Sequence, residues 1–458
     1  MTRPVLRGHN VAACDTNQEK GTSMKTVHRM PLVAAAVAVL ALAGCSSGGG
    51  NATATGSAGA STAAATPVTL TFQSLSDQPA TIAATKKVVD SWNAANPDIQ
   101  VQVVQASWDS INDKLTTQFA GGTAPDIIHD DAASIVSFAA DGYLADLTSQ
   151  MSQAKKDDIG KGLLASVTVD GKVIAYPTEV QSYMVFANKT LLDQAGVTIP
   201  TGDSMTWDQF RQIAKATTKN GVAGVGWGLK APVATFMTLG LGSGGTYFDG
   251  TGTSATIHVG DGEMALPKLV HQMAYDDKSI LPVTLTQSGS DALAAFYGGK
   301  VAMTVQGSYL AASMSKDAPA GFDWVVLPPL AGPDGPAQAA DPQTLSVSAD
   351  SKHVAQAVKF LEYFTSTNNL EAINEADALI PATTSAQQAM AAKLGSQNGW
   401  DQILKSGKDF QSAPFLFVDK YAQWKSTVAT PAFQKYLANQ IDDAGLVNAL
   451  TSGWKQLG

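Results

Sequence analysis

Arginine is nearly missing from this chain. Of its four arginines, Arg3, Arg7 and Arg29 precede residue 45 and only Arg211 follows it. Sites for carboxylates and phosphates favour the forked guanidinium, so its scarcity points to a neutral or cationic ligand. Cysteine is equally scarce, with Cys14 and Cys45 alone. A chain beginning at a lipidated Cys45 would have no disulfide, no cysteine nucleophile and no thiolate metal site. Positive charge is also short: the 458 residues carry a net charge of −9 and a pI near 5.1, which argues against nucleic acid or an anionic membrane surface as partner. The hydrolase signature His-Glu-x-x-His does not occur, and Gly-x-Ser-x-Gly is met only at Gly44 to Gly48, between leader and tether, where no strand–helix elbow is expected. Ser313 to Lys316 fits Ser-x-x-Lys but lacks the accompanying Ser-Asp-Asn and Lys-Thr-Gly, so it reads as chance.

What is present begins at Met24, the better initiator, with Lys25 and Arg29 ahead of an apolar run from Pro31 to Ala43. That run is too short for a membrane span and has the layout of a secretory signal. It ends in Leu42-Ala43-Gly44-Cys45, which resembles a bacterial lipobox, so residues 1–44 are expected to be removed and Cys45 lipidated. Their loss takes away five basic and two acidic residues and carries the net charge to −12. Ser46 to Thr66 is almost wholly Gly, Ala, Ser and Thr, a flexible tether.

The folded body starts as an alternation of strands and helices. Val68, Leu70 and Phe72 alternate as in a strand, and Ile82, Val89 and Trp92 recur near helical spacing. IQVQVVQ gives a second strand, and Ile111, Leu115 and Phe119 a second helix stopped by Gly121-Gly122. PDIIHDD gives a third strand before a helix through Ile135 and Phe138. Strand–helix repetition predicts parallel sheets covered by helices, with ligands beyond the strands' carboxyl ends. Those ends carry Asp77, Trp108 with Asp109, and Asp130 with Asp131, expected on one rim. Asp130 and Asp131 are adjacent and point to opposite faces of a strand, so they make a poor catalytic pair. Further on, TWDQF opens a helix with a Thr206/Gln209 capping box, and Trp207, Phe210 and Ala214 would leave Arg211 in solvent.

The segments APDIIHDDAASIVSFAADGYLADLT, GKVIAYPTEVQSYMVFANKTLLDQAGV, FYGGKVAMTVQGSYL, SADSKHVAQAVKFLEYFTS and ALIPATTSA, in this order, resemble the extracellular solute-binding proteins, family 1, of bacterial ABC importers. Maltose- and oligosaccharide-binding proteins typify that family. The resemblance implies an α/β, type II-like periplasmic-binding fold of two lobes, each a mainly parallel sheet flanked by helices. Lobe 1 would hold 67–178 and 329–366, and lobe 2 would hold 181–327 and 369–458. Hinges would lie near Tyr176–Val180, Val326–Leu330 and Thr367–Asn369. It further implies ligand contacts around Gln181, with Glu179 and Tyr183 beside it. Tyr309 stands where relatives place a stacking tryptophan, with Gln306 in the adjoining turn, and Trp227 and Trp424 lie near other ring-stacking positions. Asp130 replaces an aromatic common in relatives. The implied protein is a monomeric, non-enzymatic lipoprotein on the outer face of the cell membrane, without cofactor or metal. It would pass a neutral sugar or oligosaccharide to permease subunits. An anchored glycoside hydrolase, using Asp130 with Glu179, and a binder of polyols or other small polar solutes stand as alternatives; a scaffolding lipoprotein would need no polar rim.

Overall fold

The computed structural model describes residues 67–108 and 111–457. The signal segment, Cys45, the tether and Asp109 lie outside the described residues. Among those described, no helix is long and apolar enough to cross a membrane.

The opening alternation folds as its periodicity predicts. Strand β1 (Val68–Ser74) leads to helix α1 (Pro79–Ala95), β2 (Ile99–Gln105), α2 (Ile111–Ala120), β3 (Ile127–Asp131) and α3 (Ala132–Ala140). β1 lies between β2 and β3 and is parallel to both, so the carboxyl ends of all three strands share one edge. Val89 and Trp92 on α1, and Leu115 and Phe119 on α2, are buried, as amphipathic spacing requires, whereas Ile82, expected on the same face of α1, is exposed.

Two sheets organise the rest. The first has the order Ile380–Pro381, Ala175–Val180, Gln343–Val347, β3, β1, β2. The second has the order Trp324–Val326, Tyr183–Asn188, Val301–Gly307, Ala223–Gly226. The two-sheet α/β architecture meets expectation, but the sheets are mixed and not mainly parallel. The strand at 343–347 runs antiparallel to both its neighbours. In the second sheet only 301–307 and 223–226 are parallel. The antiparallel strands enter from late or returning chain, which the local βαβ pattern does not encode.

The late chain brings a second correction. Residues from 369 onward were expected in lobe 2, with a hinge at Thr367–Asn369. Instead helix Thr367–Asp377 starts there and leads into Ile380–Pro381, which pairs with Ala175–Val180 in the first sheet. The core that includes β1 holds late residues up to Phe410. From Ala413 on, the buried residues belong to the core beneath the second sheet. Two passages between the sheets stand out: Val180 to Tyr183, and Val326 to Gln343.

The Thr206/Gln209 capping box forms on helix Trp207–Thr217. Arg211 is not left to solvent: its Nη2 donates to Asp277 Oδ1 at 3.0 Å and its Nε to Oδ2, while Lys215 reaches the same carboxylate. This pairing serves the second lobe's surface and leaves the cleft without arginine.

The same helix presses on strand 223–226 through Gly224. A Cβ there would meet Ala214 O at 2.2 Å and Ala214 Cα at 2.5 Å, both backbone atoms that cannot rotate away. Gly224→Ala should therefore cost about 1–3 kcal/mol of stability through forced displacement of helix from sheet, read as a lower midpoint in urea unfolding.

Candidate binding cleft between the lobes

Chain passing from one sheet to the other places side chains between them. Gln181 and Ser182 form the first passage, and Ser182 is locked by two bonds to the turn after Val301–Gly307. Ser308 N donates to Ser182 O at 2.7 Å, and Ser182 N donates to Ser308 Oγ at 3.3 Å. This clamp sets Gln181, Tyr183, Gln306 and Tyr309 around one cavity of about 530 Å³, which Trp227, Lys230 and Thr235 also line.

Tyr309 is the aromatic ring most available to a ligand on this wall, at 45 % exposure. Its ring lies against the backbone of Gly307: a Cβ there would fall 2.3 Å from Tyr309 Cε1 and 3.0 Å from Gln181 Oε1. Glycine thus lets an aromatic face and an amide lie side by side, a suitable pairing for a pyranose with an apolar face and hydroxyl edges. Gln306 is buried, and its amide donates to Gly289 O at 3.0 Å and Thr304 Oγ1 at 3.1 Å, so its donors are already used. Tyr183 is half-buried; desolvation raises its phenol, and a hydrogen bond to Thr235 opposes this.

Two tryptophans expected near the ligand behave differently. Trp227 lines the cavity but is 1 % exposed, its ring stacked on Trp207 at 6.2 Å, so it forms floor and not a free stacking face. Trp424 is fully enclosed, with its indole N–H donating to Leu450 O and its ring against Phe248 at 5.1 Å. It is core, and its nomination as a ligand residue is corrected. Tyr421, one turn earlier, reaches the space between the lobes instead. The helix Tyr421–Trp424 widens at once into a π turn, Lys425–Ala429, and π turns are frequent at functional sites.

That space is a second cavity of about 490 Å³. Asp131, Ser134 and Ser137 line it from the first lobe, Thr238, Tyr421 and Lys425 from the other side, and Asp341 from the connecting chain. Asp131 caps α3, accepting from Ser134 N at 2.8 Å and Ser134 Oγ at 3.0 Å. Asp341 accepts from Ala133 N at 3.0 Å. Its side chain reaches water at the cleft mouth, yet desolvation between the lobes, and then Asp131, push its carboxyl up to about 7. Asp130 is fully enclosed. One oxygen accepts from Asp131 N at 2.9 Å and the other has no donor. Burial first, then the Asp131 charge, push Asp130 up to about 8.

The remaining first-lobe candidates divide. His129, beside these carboxylates, is a structural tie. Its Nδ1 accepts from Leu75 N at 3.0 Å, its Nε2 meets Gln343 at 2.7 Å, and burial lowers its pKa to about 4. Trp108 is half-buried with its edge on His129 at 5.6 Å, and Asp77 is exposed beyond β1. Glu179 is 2 % exposed, its Oε2 is buried without a hydrogen-bond partner, and it lines neither cavity. The Asp130–Glu179 pair that a glycosidase would need is therefore not presented to the cleft. Among the described residues, no group of three or more His, Cys, Asp or Glu is arranged for a metal.

Asp341, Tyr421, Lys425 and Thr235 escaped the sequence reading. Asp341 sits in a Pro/Gly-rich loop whose fold does not follow from pattern, and Tyr421 is masked by the larger Trp424 three residues on. A strand signal directly after Asp341 (PQTLSV) was the one available clue.

A cleft between two α/β lobes, walled by hydroxyls, amides, carboxyls and one open ring, defines a solute receptor. The chain matches the model for bacterial extracellular solute-binding proteins over residues 76–371, and it belongs to that family. A relative described as an uncharacterized lipoprotein in the oleD 5′ region of Streptomyces antibioticus is 38 % identical over 373 residues, covering 81 % of this chain and 82 % of its own. Two solved structures share the fold. The ABC substrate-binding protein Lmo0181 of Listeria monocytogenes, in complex with cycloalternan, superposes with a TM-score of 0.68 at 24 % identity, covering 86 % of this chain and 99 % of that one. The cyclic α-maltosyl-1,6-maltose binding protein of Arthrobacter globiformis gives 0.73 at 19 %, covering 85 % and 100 %.

The raised Asp130 carboxyl makes stability depend on pH. Asp130 holds its proton in the folded state at pH values where the unfolded chain has released it. Its contribution is complete below the ordinary carboxylate range and is lost as pH rises through about 8. Stability should fall between mildly acidic and mildly alkaline buffer, and Asp130→Asn should flatten that slope by on the order of 1–3 kcal/mol. Urea unfolding at several pH values reads both outcomes.

Proposed function

We propose that this protein is the lipid-anchored, extracellular receptor of an ABC importer that takes a neutral sugar or short oligosaccharide between its lobes and hands it to the membrane permease. The observation that carries the reading is the open Tyr309 ring on Gly307, with Gln181 beside it. A ring face covers the C–H side of a pyranose while amides and carboxyls take its vicinal hydroxyls. Asp131 and Asp341 line the second cavity, where their oxygens could take further hydroxyls of a longer ligand. Arg211, the one arginine among the described residues, is held by Asp277, which supports a ligand without phosphate. Sugar complexes or sugar-binding names among proteins of the same fold agree with this reading.

Capture follows from differential affinity. The two passages between the sheets at 180–183 and 326–343 are where the lobes would bend, and ligand bridging both walls favours the closed form. Delivery to the permease would follow from recognition of that closed form. Membership of a binding-protein family supports capture without turnover. Polyols, which lack a ring face to cover Tyr309, would use the hydroxyl-binding groups alone.

Thermal-shift screening of neutral mono- and oligosaccharides should find a ligand that raises the melting temperature by mass action and is recovered unchanged by chromatography. With that ligand, Tyr309→Ala should weaken binding at least about tenfold, or roughly 1.4 kcal/mol, by isothermal titration calorimetry. Hydrolysis of the sugar would overturn the receptor reading, and an unaltered Kd in Tyr309→Ala would remove the ring from the site.

A further inference from the structure

A further cavity lies outside the cleft. It encloses about 650 Å³, more than either cleft cavity, and shares no lining residue with them. Its walls come from helix Lys161–Ser166, helix Thr384–Leu394, helix Trp400–Ser406 and strand Phe410–Gln411.

Fixed contacts hold those walls in place. A Cβ on Gly162 would fall 2.0 Å from Phe410 O, so the first helix and the strand meet backbone to backbone. The strand also pairs with Gln338–Ala339, on the second passage between the sheets. At the start of helix 384–394, Ser385 N and Oγ donate to the Asp158 carboxylate at 2.8 and 2.6 Å. That bond ties the helix to the chain just before Gly160.

The lining combines an apolar floor with a basic rim. Leu163, Leu404 and Phe410 are buried beneath the groove. Lys161, Lys405 and Lys408 stand around them, and Asp401 is the one carboxylate in the lining. This balance runs against the chain's net charge of −9 and is the reverse of the cleft cavity that holds Asp131 and Asp341. Lys405 is held on one side, its Nζ donating to Gly202 O at 3.1 Å with Asp203 at 3.8 Å. Asp401 accepts from Gln402 Nε2 at 2.9 Å. Lys161 and Lys408 are exposed, and neither ammonium enters a salt bridge among the described residues. A lysine meets an anion as a mobile point charge, while its methylene stem extends an apolar floor. Phe410, the one aromatic residue in the lining, is 6 % exposed, so a pyranose has no open ring face to cover here.

We propose that this groove is a second binding site, for a small amphipathic anion whose apolar body covers Leu163, Leu404 and Phe410 and whose carboxylate or sulfonate head meets Lys161 and Lys408. A concave, largely apolar space of this volume with a few charged groups at its edge suits a small molecule. The inference does not depend on which solute the cleft binds.

Fluorescence titration of the full chain with 8-anilinonaphthalene-1-sulfonate, an apolar ring system bearing one anionic head, tests it. The wild-type protein should bind the probe saturably. The double variant Lys161→Glu/Lys408→Glu should raise the Kd at least about tenfold. Ala391→Trp, at an exposed position of the lining, fills the groove and should do the same without altering its charge. Because the rim lysines are exposed, raising salt from about 0.05 to about 0.5 M should weaken binding several-fold. Tyr309→Ala, in the cleft, should leave the Kd for the probe as in wild type. A signal that does not saturate, a Kd left unmoved by either groove change or by salt, or loss of binding in Tyr309→Ala would each overturn the proposal.

Discussion

The cleft depends on the clamp between Ser182 and Ser308. Between Val180 and Tyr183 only two residues carry the chain from one sheet to the other, so their conformation fixes where the neighbouring side chains emerge. Ser308 N donating to Ser182 O, with the return bond to Ser308 Oγ, ties this crossing to the end of strand 301–307. Gln181 and Tyr183 flank the first half of the clamp, and Gln306 and Tyr309 flank the second. Four residues distant in sequence thereby share one wall. Gly307 completes the arrangement because a side chain there would occupy the space of the Tyr309 ring.

The second cavity sets carboxyl groups close together. Asp130, Asp131 and Asp341 cannot all be ionised cheaply so close together, and a buried carboxyl lacking a donor keeps its proton instead. Arginine, the residue that would neutralise such groups, is spent on Asp277 at the second lobe's surface. The cleft walls therefore carry carboxyls, amides and hydroxyls and no arginine. A site built around fixed cations would select anions in preference.

Local pattern made much of this architecture legible. The 2- and 3.6-residue periods from Val68 to Phe138 correspond to β1 through α3, because those faces are buried and the burial is written in side-chain type. The capping box at Thr206 and Gln209 formed because all its partners lie within four residues. Family resemblance brought Gln181, Tyr183, Gln306 and Tyr309 forward, and the fold gathers them. Errors came where partners are remote. Antiparallel returns in both sheets, the docking of Ile380–Pro381 on strand 175–180, and the enclosure of Trp424 each join segments tens to hundreds of residues apart.

By itself the sequence determined which segments are strands and helices, that the ligand site would be poor in arginine, and that acidic and aromatic groups would stand at strand ends. Those properties are local: they depend on composition, spacing and the alternation of apolar side chains. Tertiary structure alone decided which of two aromatics in one helical turn faces the cleft, Tyr421 and not Trp424. It also decided that Glu179 is enclosed and not left in solvent, and that Asp341 lines the same cavity as Asp131. A side chain's exposure and its proton both respond to the groups packed around it, and at these positions the neighbours come from the far end of the chain.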